Sequence, residues 1–93
     1  MDANDPTRTI RVRDGAAVWR RIDDETVILA LDTSMYLGLN ETGTELWPHL
    51  LEGATRRDLV TRLMDAFEVD DERATADVDS FIQQCRRHHL LAE

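Results

Sequence analysis

The segment Met35-Tyr36-Leu37-Gly38-Leu39-Asn40-Glu41-Thr42-Gly43-Thr44-Glu45-Leu46-Trp47 contains the change from strand to helix on which the fold turns. Residues 35–39 are apolar, uncharged and carry β-favouring Tyr36, which predicts a short strand. Asn40 and Thr42 are both good helix N-caps, and Thr42 with Glu45 has the spacing of a capping box. A strand therefore stops and a helix starts within a few residues. Strand-like segments precede this junction and helix-like segments follow it.

Upstream, Ile10 and Val12 alternate with Arg11 and Arg13 as in a half-buried strand, and Asp14-Gly15 turns the chain. Residues 18–22 form a second candidate strand, with Val18, Arg20 and Ile22 on one side and Trp19 and Arg21 on the other. The acidic run Asp23-Asp24-Glu25 reads as a hairpin turn. Residues 26–31 are apolar almost throughout, the pattern of a strand covered on both faces. Asp32-Thr33-Ser34 turns back into residues 35–39. Connections this short force antiparallel neighbours, so the sheet is a meander of about three strands with residues 35–39 at one edge.

Downstream, the first helix runs from about residues 40–42 to Leu51, with Leu46, Trp47, Leu50 and Leu51 facing inward. Pro48 falls inside it and predicts a bend or a tightened first turn. Gly53 is placed to end it in a left-handed conformation. Thr55 and Asp58 make a second capping box, and the helix after them buries Leu59, Val60, Leu63, Met64 and Phe67. Asp70 or Asp71 caps a third helix whose apolar face is Ala74, Val78, Phe81, Ile82 and Cys85. Its acidic start and basic end, Arg86 and Arg87, suit the helix dipole. Leu90 and Leu91 fold back on the core. The fold class is α+β: a three-stranded antiparallel sheet followed by three α-helices, of the winged helix-turn-helix kind. Residues 1–9 read as a loose tail and 10–93 as a single domain.

The chain has 93 residues, eleven of them arginine, no lysine and a formal net charge of −8. That balance opposes non-specific nucleic-acid binding, which requires cations that displace phosphate counterions. It fits either a basic partner or simple solubility. No apolar run has membrane-spanning length and the start lacks a signal-peptide pattern, so a cytoplasmic location without membrane attachment is expected. The single cysteine agrees with a reducing compartment.

Chemistry is sparse. His88 and His89 are adjacent on a helix and diverge. Cys85 with His88 could share a face but does not close a metal site, so no metal is expected. Cys85 lies on the core face, where a thiol is inert, and no Gly-rich phosphate loop exists. No catalytic residue and no cofactor are expected. A DNA reader would present Arg, Lys, Asn or Gln on its recognition helix, whereas the third helix begins Asp70-Asp71-Glu72. A winged-helix DNA-binding regulator is therefore the alternative reading only. What remains is the strand at residues 35–39, an edge with no charge and no proline to defend it. Either a partner peptide completes it by strand addition, or the chain's own tail or a dimer mate covers it.

The run Tyr36-Leu37-Gly38-Leu39-Asn40-Glu41-Thr42-Gly43-Thr44-Glu45-Leu46-Trp47 resembles the signature Tyr-x-x-Leu-Asn-x-Thr-Gly-x-x-Leu/Ile-Trp of PqqD-like proteins, the recognition elements of ribosomally made, post-translationally modified peptides. The resemblance extends from about Val18 to the C-terminus. It departs at Ser34 and His89, where the family usually carries glycine. It implies a non-catalytic adaptor that binds the leader segment of a precursor peptide as an extra antiparallel strand. Backbone pairing would fall on Met35, Tyr36, Leu37 and Gly38, with a helical wall drawn from Asp71, Ala74, Thr75, Val78 and Ile82. A free-standing, lysine-free member resembles those of lasso-peptide pathways, which implies a leader peptidase and possibly a cyclase as further partners. Leaders of that class often carry lysines around a Tyr-x-x-Pro element, which would give the acidic surface a purpose.

Overall fold

A computed structural model describes residues 8–92. Its elements are β1 (Thr9–Ile10), β2 (Ala17–Ile22), β3 (Glu25–Ala30), β4 (Met35–Leu39), α1 (Glu41–Glu52), β5 (Ala54–Thr55), α2 (Arg56–Phe67) and α3 (Asp71–Arg87). The expected meander is present: β2, β3 and β4 form an antiparallel sheet in that order, so β4 is an edge. The tail expected at residues 1–9 lies largely outside the described residues. Of the two residues of that stretch that are described, Thr9 is in a strand: it pairs with Thr55, and Ile10 with Ala54, in a separate two-stranded ribbon. Val12 then bridges Leu91, which ties both ends of the domain together.

One face of the sheet meets the helices. Thr26, Ile28 and Ala30 of β3 and Leu37 and Leu39 of β4 are buried there against Leu46, Trp47 and Leu50 of α1. Trp19 reaches the same layer from β2 and meets Trp47 edge-on, with ring centroids 6.3 Å apart. The opposite face has no cover among the described residues, contrary to the reading of residues 26–31 as doubly covered. Val27 and Leu29 are half-buried, and Val18, Ile22, Leu31 and Tyr36 are exposed. The chain supplies a single helical layer, and a single layer covers one face.

The helices begin and end where local chemistry requires. Thr55 and Asp58 form the reciprocal capping box of α2, and the Thr55 N–H donated to its carboxylate holds Asp58 below the ordinary carboxylate range. Asp70 caps α3. Gly53 ends α1 at φ 101°, with its N–H donated to the His49 carbonyl. Pro48 leaves α1 helical over its full length and sits on the exposed side. At the end of α3, Leu90 N–H donates to the Cys85 carbonyl and His89 N–H to the Arg86 carbonyl, a Schellman closure that requires a left-handed residue at position 89.

His89 takes that conformation at φ 57°, and Ser34 takes it at φ 58° in the turn before β4. A side chain with a Cβ pays for this geometry, whereas glycine does not. Ser34→Gly and His89→Gly should each stabilise the domain by about 1 kcal/mol, raising the melting midpoint by roughly 4–8 °C. Thermal unfolding of the two variants beside Gly15→Ala (φ 74°), which should lose stability, checks this.

Candidate functional site

The β4–α1 junction is built to hold one backbone path. Leu39 is buried, and the next residue, Asn40, caps α1 by accepting the Gly43 N–H at 3.0 Å. Asn40 therefore takes the cap role that the Thr42–Glu45 spacing also offered; Thr42 lies inside the first turn. An added Cβ at Gly43 would come 3.1 Å from the Leu39 Cβ, so glycine here lets the first helical turn press on the strand. Thr44 turns its hydroxyl into the core, where it accepts from Thr26 Oγ1 at 3.0 Å. Leu46 and Trp47 then anchor the helix. Each of these positions fixes where β4 ends.

Hydrogen-bond alternation decides what β4 offers to its open side. In an antiparallel ladder, each residue directs its N–H and C=O to one neighbour, and successive residues alternate. Leu31 N–H donates to the Ala16 carbonyl at 2.9 Å, in register with Ala17↔Ala30, so the odd residues of β3 face β2. The even residues Thr26, Ile28 and Ala30 must then face β4, opposite Leu39, Leu37 and Met35. It follows that the backbone groups of Tyr36 and Gly38 point away from the sheet. No strand among the described residues pairs with that side.

A furrow of about 220 Å³ runs beside this edge. One wall is Gly38, Leu39, Asn40, Thr42 and Gly43; the other is Arg73, Asp77, Ser80, Phe81 and Gln84 of α3. Arg73 and Asp77 pair at 3.3 Å on its rim. The residues expected from sequence divide differently. Met35 and Tyr36 are exposed at the edge, Leu37 turns its side chain into the core, and Gly38 lines the furrow. On α3, Ala74 and Val78 are wholly buried in the core, and Asp71 and Thr75 do not line the furrow. Ile82 lies on the other flank of the helix, in a different cleft. An apolar stripe goes to the core, and polar residues beside it form the furrow. Nothing in the sequence alone says which polar flank will face β4.

The remaining candidate groups are inert or scattered. Cys85 has no exposed surface, and burial pushes its thiol up to about 12. His88 sits near Thr33, with Nδ1 3.4 Å from Oγ1. No three His, Cys, Asp or Glu side chains among the described residues converge as metal ligands do. No helix among them is long and apolar enough to cross a membrane.

A family model, coenzyme PQQ synthesis protein D (PqqD), matches residues 25–91. The chain belongs to the PqqD family. Among solved structures, it is 32% identical to a protein described as "TbiB1 in Complex with the TbiA(beta) Leader Peptide", with a TM-score of 0.77 over 87% of this chain and 93% of that one. A second, "Lasso peptide synthetase B1 complexed with the leader peptide", is 21% identical, with a TM-score of 0.74 over 90% and 98% of the two chains. At that identity the second likeness speaks for the fold. No curated protein matches the chain.

The buried thiol yields a test of the core. In the folded state its pKa lies above the unfolded value, so it stabilises the fold below the unfolded pKa of about 8.5. That contribution is lost as pH rises toward 12. Iodoacetamide at about pH 8 should leave Cys85 of the native protein unmodified and alkylate it in denaturant; rapid native labelling would contradict the packing of α3.

Proposed function

We propose that this chain is a non-catalytic adaptor that binds the leader segment of a precursor peptide by strand addition on β4. The observation that carries the reading is the pair of outward-facing backbone units at Tyr36 and Gly38, set beside a furrow lined by α3. A related protein of the same fold is described in complex with a leader peptide. The pair offers two N–H donors and two carbonyl acceptors, and each bond adds about 0.5–1.5 kcal/mol net. Backbone pairing supplies affinity without sequence preference. Selectivity would come from alternate leader side chains entering the furrow toward Phe81, Ser80 and Gln84.

The reading extends to the expected partners: a leader peptidase, and possibly a cyclase, of a lasso-type pathway. An adaptor of this kind raises the local concentration of precursor at the enzyme and breaks no bond itself. The uncovered apolar face of the sheet, which reaches Tyr36 at the leader edge, leaves such an enzyme a surface beside the bound peptide. DNA binding has weaker support. α3 opens on exposed Asp71 and Glu72, and the net charge of −8 repels phosphate.

Tyr36→Pro tests the strand-addition reading, because it removes an outward N–H while sparing the β3 ladder. A synthetic lysine-rich leader with a Tyr-x-x-Pro element should bind this variant about two- to tenfold more weakly in calorimetry, with thermal stability nearly kept. Ser80→Trp, which fills the furrow from an exposed position, should weaken binding similarly. Wild-type affinity in both variants would overturn the reading.

A further inference from the structure

The two ends of β4 are held differently. At its far end Leu39 is buried, and the bond from Gly43 N–H to Asn40 locks the chain into α1. At its start Met35 and Tyr36 are exposed and add no side chain to the core. Ser34, just before them, stands at φ 58° in the connecting turn. Tyr36 carries one of the two outward backbone units, so the placement of this end bears directly on strand addition.

One side chain ties that end to α3. Arg13 Nη2 donates to the Asp32 carboxylate at 3.1 Å and to the His89 carbonyl at 2.8 Å. Asp32 lies in the turn that feeds β4, and His89 is the left-handed residue that closes α3. A guanidinium Nη carries two N–H groups and can serve both acceptors. The main chain beneath it is anchored as well. Arg13 N–H donates to the Leu90 carbonyl at 2.7 Å, and Val12 N–H to the Leu50 carbonyl at 3.0 Å. The same two segments approach a second time where Thr33 Oγ1 and His88 Nδ1 stand 3.4 Å apart.

As a stabilising pair this contact counts for little. The Arg13 and Asp32 side chains are 40% and 54% exposed, and ion pairs so exposed add little to stability. Its geometry is what sets it apart, because the carboxylate belongs to the β4 side of the groove and the carbonyl to the α3 side. We infer that Arg13 is a positioning residue for the peptide site, holding the Met35 end of β4 at a fixed spacing from α3. The inference rests on the leader reading of the β4 groove. Arg13 does not line the furrow and acts through Asp32 and His89. An edge free to fray populates conformations that cannot pair, and apparent affinity falls with the fraction that remains competent.

Arg13→Gln removes the charge and the fork. In the free full chain, NMR relaxation should show amide order parameters at residues 33–36 falling from about 0.85 to below about 0.6, with Leu39 and Ser80 still rigid. The same variant should bind a lysine-rich Tyr-x-x-Pro leader about three- to tenfold more weakly, measured where circular dichroism shows it folded. Arg13→Lys, which can still reach one acceptor, should recover part of the loss. Asp14→Asn, at the exposed neighbouring position, should behave as the wild type. Arg13→Gln and Asp32→Asn should be non-additive in affinity, since each breaks the same brace. A lower melting midpoint with unchanged affinity of the folded variant would overturn the inference, and so would rigid order parameters at residues 33–36. The relaxation measurement needs no peptide, so it separates the two readings. A wild-type chain that binds no leader, with residues 33–36 loosened in Arg13→Gln, would overturn the leader reading and leave the brace in place.

Discussion

The hydrogen bond from Gly43 N–H to the Asn40 side chain is the constraint from which the working surface follows. It stops the strand at Leu39 and starts α1 at once, so the chain leaves the sheet before it can fold back on the open side of β4. Gly43 allows the helix to press on Leu39, and the Thr44–Thr26 hydroxyl bond ties that first turn to the middle strand. With β4 held from one side only, Tyr36 and Gly38 keep their backbone groups directed outward. α3 then needs only to lie alongside to complete a groove.

This architecture separates two tasks that often compete. The inner face of the sheet and the apolar stripe of α3 form the core, with Ala74, Val78 and Cys85 wholly buried. The surface proposed for binding is made from what the core does not use: an edge and a polar flank of a helix. On that proposal, variation in the furrow residues Ser80 and Gln84 alters selectivity without disturbing the fold.

Much of the fold was legible because its signals are local. Alternation at Ile10–Val12, the turn at Asp23-Asp24 and the capping box of Thr55 and Asp58 each specify their own neighbourhood. What sequence leaves open or misplaces has physical reasons. The Asn40 and Thr42 caps satisfy the same local rule, and only the burial of Leu39 decides between them. The apolar run of β3 suggested cover on both faces, but the cover depends on how many layers the chain can build. The edge followed from short connections, whereas of Asp71, Ala74, Thr75, Val78 and Ile82, the residues expected to supply the helical wall, Ala74 and Val78 lie wholly in the core. The cleft on the other flank of α3 was not legible, since it needs Ile10 brought in by a two-residue ribbon with Ala54 and Thr55.

The vacancy of the β4 border is most directly measured by residue-resolved hydrogen exchange. In the free protein, the amides of Leu37 and Leu39 should exchange slowly, while those of Tyr36 and Gly38 exchange at nearly unprotected rates. Addition of a Tyr-x-x-Pro leader should slow Tyr36 and Gly38 and leave the outer strand β2 unchanged. Protection of Tyr36 and Gly38 before any peptide is added, or no change after saturation, would contradict the account.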